Sequence, residues 1–402
     1  MKCVETPLRE IFTFSNGINF NKSAYSPGVK LIGVSNFGNR FSPDYEELQE
    51  INRKFVRVGD YLRNGDIIFV RSNGNKELVG RCMLIKDILQ PVTFSGFCIR
   101  ARIKNTREHD PTFFTYYFKS AAFRKAISGN AVGANIQNLS QERLSNYIAC
   151  VPDIVSQRKI ANILSTYDIL IENNQKQIKL LEEAAQRLYK EWFVDLRFPG
   201  YEDTPIVDGV PEGWGKAPID SRISLLSGYA FKSAQFDSSG EYKIVTIKNV
   251  KDGEFDGIDT NRIVSIPGKM PKHCVLADRD ILLSLTGNVG RTCIVNGNNY
   301  LLNQRVAKLQ SDIPAFTYCL FRSSDMFDAM NNLANGAAQQ NLSPIRTGKI
   351  SILFPADNLL EEFERIVGSM ISKMLSLRKQ CDLLIQARDR LLPKLMSGEI
   401  EV

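Results

Sequence analysis

Histidine is almost missing. His109 and His273 are the only two in 402 residues, and neither stands at motif spacing from a second metal ligand. Histidine-based catalysis and histidine–zinc chemistry are therefore not expected. The eight cysteines (Cys3, Cys82, Cys98, Cys150, Cys274, Cys293, Cys319 and Cys381) are scattered, with no CxxC pair. That pattern argues against a thiolate zinc site and a disulfide framework, and predicts buried, reduced thiols. No apolar run approaches the roughly 18 residues of a membrane span, and the start MKCVETPLRE lacks the charged-then-apolar plan of a secretory leader. A cytoplasmic protein is expected.

Nucleotide chemistry is also missing its signatures. LTGNVGRT (285–292) superficially resembles a phosphate loop, but only two residues separate Gly287 from Gly290, and no lysine precedes the hydroxyl. DPTFF (110–114) is a near miss for the element that amino-methyltransferases place against a flipped base. Thr112 stands where a second proline belongs, and no GxGxxG turn lies upstream. A turn capping a helix from Pro111 is the better reading. No catalytic, metal or cofactor-binding set is expected on this chain.

What the chain does have is a repeat. GANIQNLS (133–140) returns 203 residues later as GAAQQNLS (336–343), and VPD (151–153) is answered by FPA (354–356). The same offset runs through two helical seams. Ile160, Leu164, Tyr167, Ile171, Asn174, Ile178, Leu181, Ala185, Leu188 and Trp192 alternate steps of four and three, as coiled-coil positions do. Their counterparts are Phe363, Val367, Met370, Met374, Leu377, Cys381, Leu384, Arg388, Leu391 and Leu395, and nine of ten are apolar in each set. Two seams in constant register predict mutual packing of two helices, each about 50 Å long at roughly 1.5 Å per residue. The seams alone leave parallel and antiparallel pairing open.

The segments before the helices also correspond. NGDIIFV (64–70) matches DRDILLS (278–284), and VGRC (79–82) matches VGRTC (289–293), with more residues between these anchors in the first copy. Alternating runs such as DIIFV, KIVTIKNV and DILLSL read as strands, while 111–128 and 315–330 read as helices. The organisation predicted is α+β: related mixed domains at 1–150 and 201–355, with helical regions at 151–200 and 356–402.

Charge is compatible with a nucleic-acid partner, though many soluble proteins with no such partner are equally basic. Residues 1–150 hold 21 Lys+Arg against 13 Asp+Glu, within a net charge of +7 for the whole chain. The loops after the matched strands carry side chains of the types that read nucleic acid, Arg71, Asn73, Asn75, Lys76 and Arg81 in the first copy and Thr286, Asn288 and Arg291 in the second, although asparagine and glycine equally suit such loops because they tolerate turn conformations. Arginine forks onto guanine, asparagine and glutamine onto adenine, and lysine onto phosphates. Lys22 and Lys232 lie on a second matched loop, and Gln137, Asn138, Gln340 and Asn341 lie in the octet itself. The octet has a structural reading as well: its glycine and amide groups end a loop and satisfy local backbone, and its NLS then leads into the strand-like YIACVPD or KISILFPAD at the domain's exit.

The whole pattern resembles the DNA-specificity subunit of type I restriction-modification systems. The resemblance spans essentially the entire chain, and its most specific elements are YKEWFVDLRFPGYE (189–202) and GVPEGW (209–214). The first domain has no counterpart of GVPEGW. The resemblance implies two target-recognition domains that read the halves of a split DNA sequence, and long helices forming an antiparallel coiled coil. It also implies docking of two adenine methyltransferase subunits, which would bind S-adenosylmethionine, with restriction subunits in the full complex. A rod of about 50 Å compares with about 34–36 Å per turn of B-DNA, so helix length is expected to set the spacer between half-sites. The residues also suit a stand-alone DNA-binding regulator, or a coiled-coil scaffold whose domains bind proteins or sugars.

Overall fold

The computed structural model describes residues 2–402 apart from 39, 74–77, 129–137, 259 and 335–339. The chain packs as two compact units, Met1–Glu172 with Asp382–Val402, and Asn173–Cys381. Each unit contains one mixed domain together with part of both long helices.

In the first unit an antiparallel sheet has the order Phe12–Asn16, Cys98–Ile103, Ile67–Val70, Cys82–Leu84. Its strand Ile67–Val70 is buried at all four residues, and the two-residue period explains why. Ile67 and Phe69 join the core made with Phe113, Phe114 and Phe118 of the helix Pro111–Lys119. Ile68 and Val70 face the other way, into the core made with Ile32, Val92 and Phe94 of a second sheet. In that second sheet Tyr25–Ile32 lies between Glu50–Ile51 and Val92–Phe94, antiparallel to the former and parallel to the latter.

The second unit repeats this plan. Its first sheet runs Ile223–Ser227, Val306–Ser311, Ile281–Ser284, Thr292–Ile294. Its second sheet again contains a parallel pair, Tyr242–Val245 with Tyr300–Leu302. KIVTIKNV is strand only as far as Val245, because the buried Asn249 closes a turn by accepting the Thr246 N–H at 2.8 Å. The expected helical stretches each divide in two, at Ser120 and Ser323, whose extended backbones stop one helix. Each serine oxygen then accepts an N–H of the next helix, from Phe123 or Met326, at 3.3 Å.

The NLS tripeptides do not run straight into strands. Ser140 and Ser343 cap short helices, Gln141–Asn146 and Pro344–Gly348. Only then come the exit strands Ile148–Pro152 and Ser351–Phe354, paired antiparallel with Cys3–Pro7 and Gly215–Pro218.

The long helices span Ile154–Tyr189, followed by a π turn at Lys190–Val194, and Asp357–Ser397. Their antiparallel pairing is visible in each unit separately. In the first, Ile160, Ala161 and Leu164 from the start of one helix share a core with Leu391, Leu392 and Leu395 from the end of the other. In the second, Ala185, Tyr189 and Trp192 share a core with Leu359, Phe363 and Val367. Every seam position from Ile160 to Trp192 and from Phe363 to Leu395 is buried or half-buried. The two polar exceptions find partners: Asn174 donates to Gln380 at 3.3 Å, and Arg388 pairs with Asp168.

The motif residues of the second unit are structural. Asp208 and Gly209, with φ of 52° and 76°, turn a small hairpin that delivers Trp214. Trp214 then stacks at 5.0 Å on Phe198 and at 6.0 Å on Phe193, which lies 4.8 Å from Phe363.

Buried, reduced thiols are found at six cysteines, not eight. Cys3 and Cys150 lie exposed on the paired edge strands with Cα atoms 5.4 Å apart, and they form a disulfide. The period-two pattern of YIACVPD faces Cys150 away from the core, because Ala149 and Val151 take the buried face.

Candidate nucleic-acid interface

Three loops of the first unit converge at one end of its first sheet. The turn Ser95–Phe97, just before the strand Cys98–Ile103, is their hub. From one side, the Ile18 N–H donates to the Phe94 carbonyl at 2.9 Å, and the Gly96 N–H returns a bond to Ile18 at 2.7 Å. Gly17 must be glycine here, since a Cβ would stand 2.3 Å from the carbonyl oxygens of Phe94 and Ser95. From the other side, the Arg71 N–H donates to the Phe97 carbonyl at 2.8 Å, and the Leu139 N–H donates to the Arg71 carbonyl at 2.9 Å. Ser72 and Asn138 extend this contact as an isolated antiparallel bridge.

The second unit builds the same hub from different side chains. Tyr229 donates to the Leu302 carbonyl at 2.9 Å and accepts from the Gln304 N–H at 3.0 Å. Leu285 donates to the Arg305 carbonyl at 3.0 Å, Leu342 donates to Leu285 at 2.8 Å, and Thr286 bridges Asn341. Gly228 takes the place of Gly17, with a Cβ again 2.3 Å from a carbonyl oxygen, that of Asn303. The repeated octet thus has a definite task. Its leucine, buried in both copies, anchors the end of a loop onto the residue after the central strand, and its asparagine extends that join.

A second matched feature closes the loop after each central strand. Val70 accepts from the Gly80 N–H at 2.8 Å and Ser284 accepts from the Gly290 N–H at 3.0 Å, while Arg81 and Arg291 bond back to the same strand ends. Gly80 and Gly290 have φ of 77° and 81°. An added Cβ would also meet Ile127 at 2.6 Å, or Met330 and Phe327 at 3.2 Å. Gly80→Ala and Gly290→Ala are each expected to cost about 1–2 kcal/mol, the penalty for a side chain in the left-handed region. Denaturant midpoints of the two variants check this, and an unchanged midpoint would contradict it.

The expected contact residues are therefore distributed as follows. Arg71, Asn73, Arg81 and Asn138 belong to the convergent loops of the first unit, and Thr286, Asn288, Arg291, Gln340 and Asn341 to those of the second. Arg71 is half-buried and places one guanidinium N–H 3.4 Å from the Gly96 carbonyl. Thr286 carries a buried hydroxyl with no partner among the described residues. Lys22 and Lys232 are exposed a few residues beyond Gly17 and Gly228, and among the described residues neither ammonium bonds to the hub. Asn75, Lys76 and Gln137 lie outside the described residues.

Sequence reasoning missed the hub itself. Phe97, Gln304 and Arg305 are exposed there. No sequence signal marks them: SGFCIRARI (95–103) and NQRVAKLQS (303–311), which align there at an offset of 208, share no identical residue. Among the described residues, no cluster of His, Cys, Asp and Glu could hold a metal ion, and no helix is long and apolar enough to cross a membrane.

Comparison with known proteins bears on what such a pair of hubs does. Residues 3–183 match the type I restriction modification DNA specificity domain. The chain is 24% identical over 306 residues to the MjaIX specificity subunit of Methanocaldococcus jannaschii, covering 72% of this chain and 69% of that one. It is 22% identical to the HindI specificity subunit of Haemophilus influenzae, over 95% of this chain and 96% of the relative. The fold is shared with the crystal structure of a type I restriction-modification S subunit from M. genitalium, at a TM-score of 0.60, 16% identity, and coverage of 98% and 96%. Residues 3–183 thus resemble the type I restriction modification DNA specificity domain, and the relatives that align with most of the chain are specificity subunits of type I restriction-modification systems.

Proposed function

We infer that the chain reads a split DNA sequence, each mixed domain reading one half, and that it directs adenine methyltransferase subunits to that site. The observation that carries this reading is the duplicated hub. The same backbone bonds join the same three loops in both domains, while the exposed side chains on those bonds differ. A fixed frame with exchanged side chains is what two readers of different half-sites require. The paired helices would fix the number of unspecified base pairs between the halves and present the docking surface for two methyltransferase copies, with restriction subunits joining in the full complex. S-adenosylmethionine would bind to the methyltransferase, which must flip its adenine out of the duplex.

The test is methylome sequencing of a host that expresses the chain with its methyltransferase partner. The expected product is a two-part motif with methyladenine in each half. Arg291→Ala should relax one half only, weakening binding by about 1–3 kcal/mol if the contact is to a base. A uniform loss on all sequences would make Arg291 a phosphate contact. An undivided motif would overturn the two-reader reading. A regulator acting alone would bind its site without any methylated motif.

A further inference from the structure

Phe97 and Arg305 occupy the same place in the two hubs. Each ends the turn before a central strand, and its carbonyl accepts the N–H of the residue following the neighbouring central strand, Arg71 or Leu285. Across that bond the two hubs exchange chemistry. In the first unit the cation is Arg71, half-buried and turned to the Gly96 carbonyl, and the apolar residue is the exposed Phe97. In the second unit the apolar residue is Leu285, only 4% exposed, and the cation is the exposed Arg305.

Phe97 is the unusual member. Residues 92–96 and 98–101 around it are all buried, yet Phe97 is 63% exposed, and among the described residues its ring packs on no other aromatic ring. Isolated exposed apolar side chains are ordinary on proteins. This one, however, projects from the residue to which the candidate reading loop is bonded, at a position where the sister domain carries an arginine without a side-chain partner among the described residues.

We propose that this turn residue is a base-reading position in both domains: Phe97 packs on the 5-methyl group of a thymine in one half-site, and Arg305 donates to a guanine in the other. The chemistry follows from what the major groove displays. A thymine offers a methyl group that an aromatic ring covers, and a guanine offers N7 and O6 acceptors to a guanidinium. The proposal rests on the DNA-reading function inferred above and adds to it the residue and base at one position of each half-site.

The experiment uses the full-length chain and the duplex it selects from a random-sequence pool. Each thymine is replaced in turn by deoxyuridine, which removes only the methyl group, and each guanine by 7-deazaguanine, which removes only N7. At one thymine, the wild-type chain should lose about four-fold in affinity, the worth of one buried methyl. Phe97→Ala should bind more weakly and no longer respond to that replacement. At one guanine of the other half, 7-deazaguanine should weaken wild-type binding about ten-fold and leave Arg305→Ala indifferent.

A wild-type chain insensitive to every deoxyuridine, as expected if Phe97 instead wedges between base steps, would overturn the thymine assignment. So would a Phe97→Ala chain that keeps the wild-type response. Equal weakening of Arg305→Ala on selected and random duplexes would make Arg305 a backbone contact and overturn the guanine assignment. If the chain selects no sequence at all, the failure lies in the DNA-reading function and the proposal falls with it.

Discussion

Replacing Asp168 with leucine is expected to destabilise the first unit by about 3 kcal/mol, because it breaks a largely buried ion pair on one side only. Asp168 accepts from the Tyr116 phenol and from the Arg388 guanidinium, and the two charged side chains are 10% and 20% exposed. Burial first, and the Asp168 charge second, hold the Tyr116 phenol far above its ordinary value, so it stays protonated and donates. Burial opposes the charge of Arg388, but Asp168 and Asp389 outweigh it and hold the guanidinium above its ordinary value. Without Asp168, a buried phenol loses its acceptor and Arg388 keeps, among the described residues, only Asp389 as an ion-pair partner.

The readout can be made specific to one unit. Both tryptophans, Trp192 and Trp214, lie in the second unit. Urea unfolding of Asp168→Leu should therefore show an early loss of far-UV circular dichroism with the tryptophan transition moved less. The double variant Asp168→Leu/Arg388→Leu should recover part of the loss, since an apolar pair of similar volume avoids the unpaired charge. A double variant no more stable than the single one would mean that packing, not charge pairing, carries the effect.

The frame was legible in the chain before any coordinates, and the locks on it were not. An offset of 203 found the octet, both seams and their pairing because helix packing demands apolar residues at fixed spacing, and strand burial demands a run such as DIIFV. Antiparallel orientation came from family resemblance, since a seam of that spacing packs either way. The split at Ser120 escaped because serine is compatible with a helix interior as well as with a cap. The disulfide escaped because the two strands carrying Cys3 and Cys150 are brought together only by tertiary structure. Polar locks escaped for a related reason: they do not obey the repeat. Asp168 corresponds to Ile371, and Arg388 to Ala185. Within the candidate interface, loop residues were identifiable by type, but the hub turn was not, because its shared feature is a set of backbone bonds that any sequence can make.

That asymmetry makes the second unit separately vulnerable at Glu182. Its carboxylate accepts from the Tyr318 phenol at 3.0 and 2.9 Å and from Arg322 Nε at 3.1 Å, and its repeat counterpart is the apolar Ile385. Burial, with the Glu182 charge next, holds the Tyr318 phenol well above its ordinary value, so the proton remains to be donated. Glu182→Leu is expected to cost about 3 kcal/mol, because it orphans a buried hydroxyl and one face of Arg322, which is left with Asp252.

Glu182→Gln keeps an acceptor for Tyr318 and loses the charge, so it should cost roughly half as much. Here the tryptophan transition should move first. Each mixed domain would then be fastened to the helices by its own tyrosine–carboxylate–arginine contact, at a different place along the seam. If Glu182→Leu left the tryptophan midpoint unchanged, the aromatic cluster of Trp192, Phe193, Trp214 and Phe363 would be holding the second domain without help from this contact. The repeat itself, with its apolar seam and shared octet, would then be sufficient to seat the domain. With the predicted loss, the repeat supplies the frame, and the unrepeated charges determine how firmly each domain is held in it.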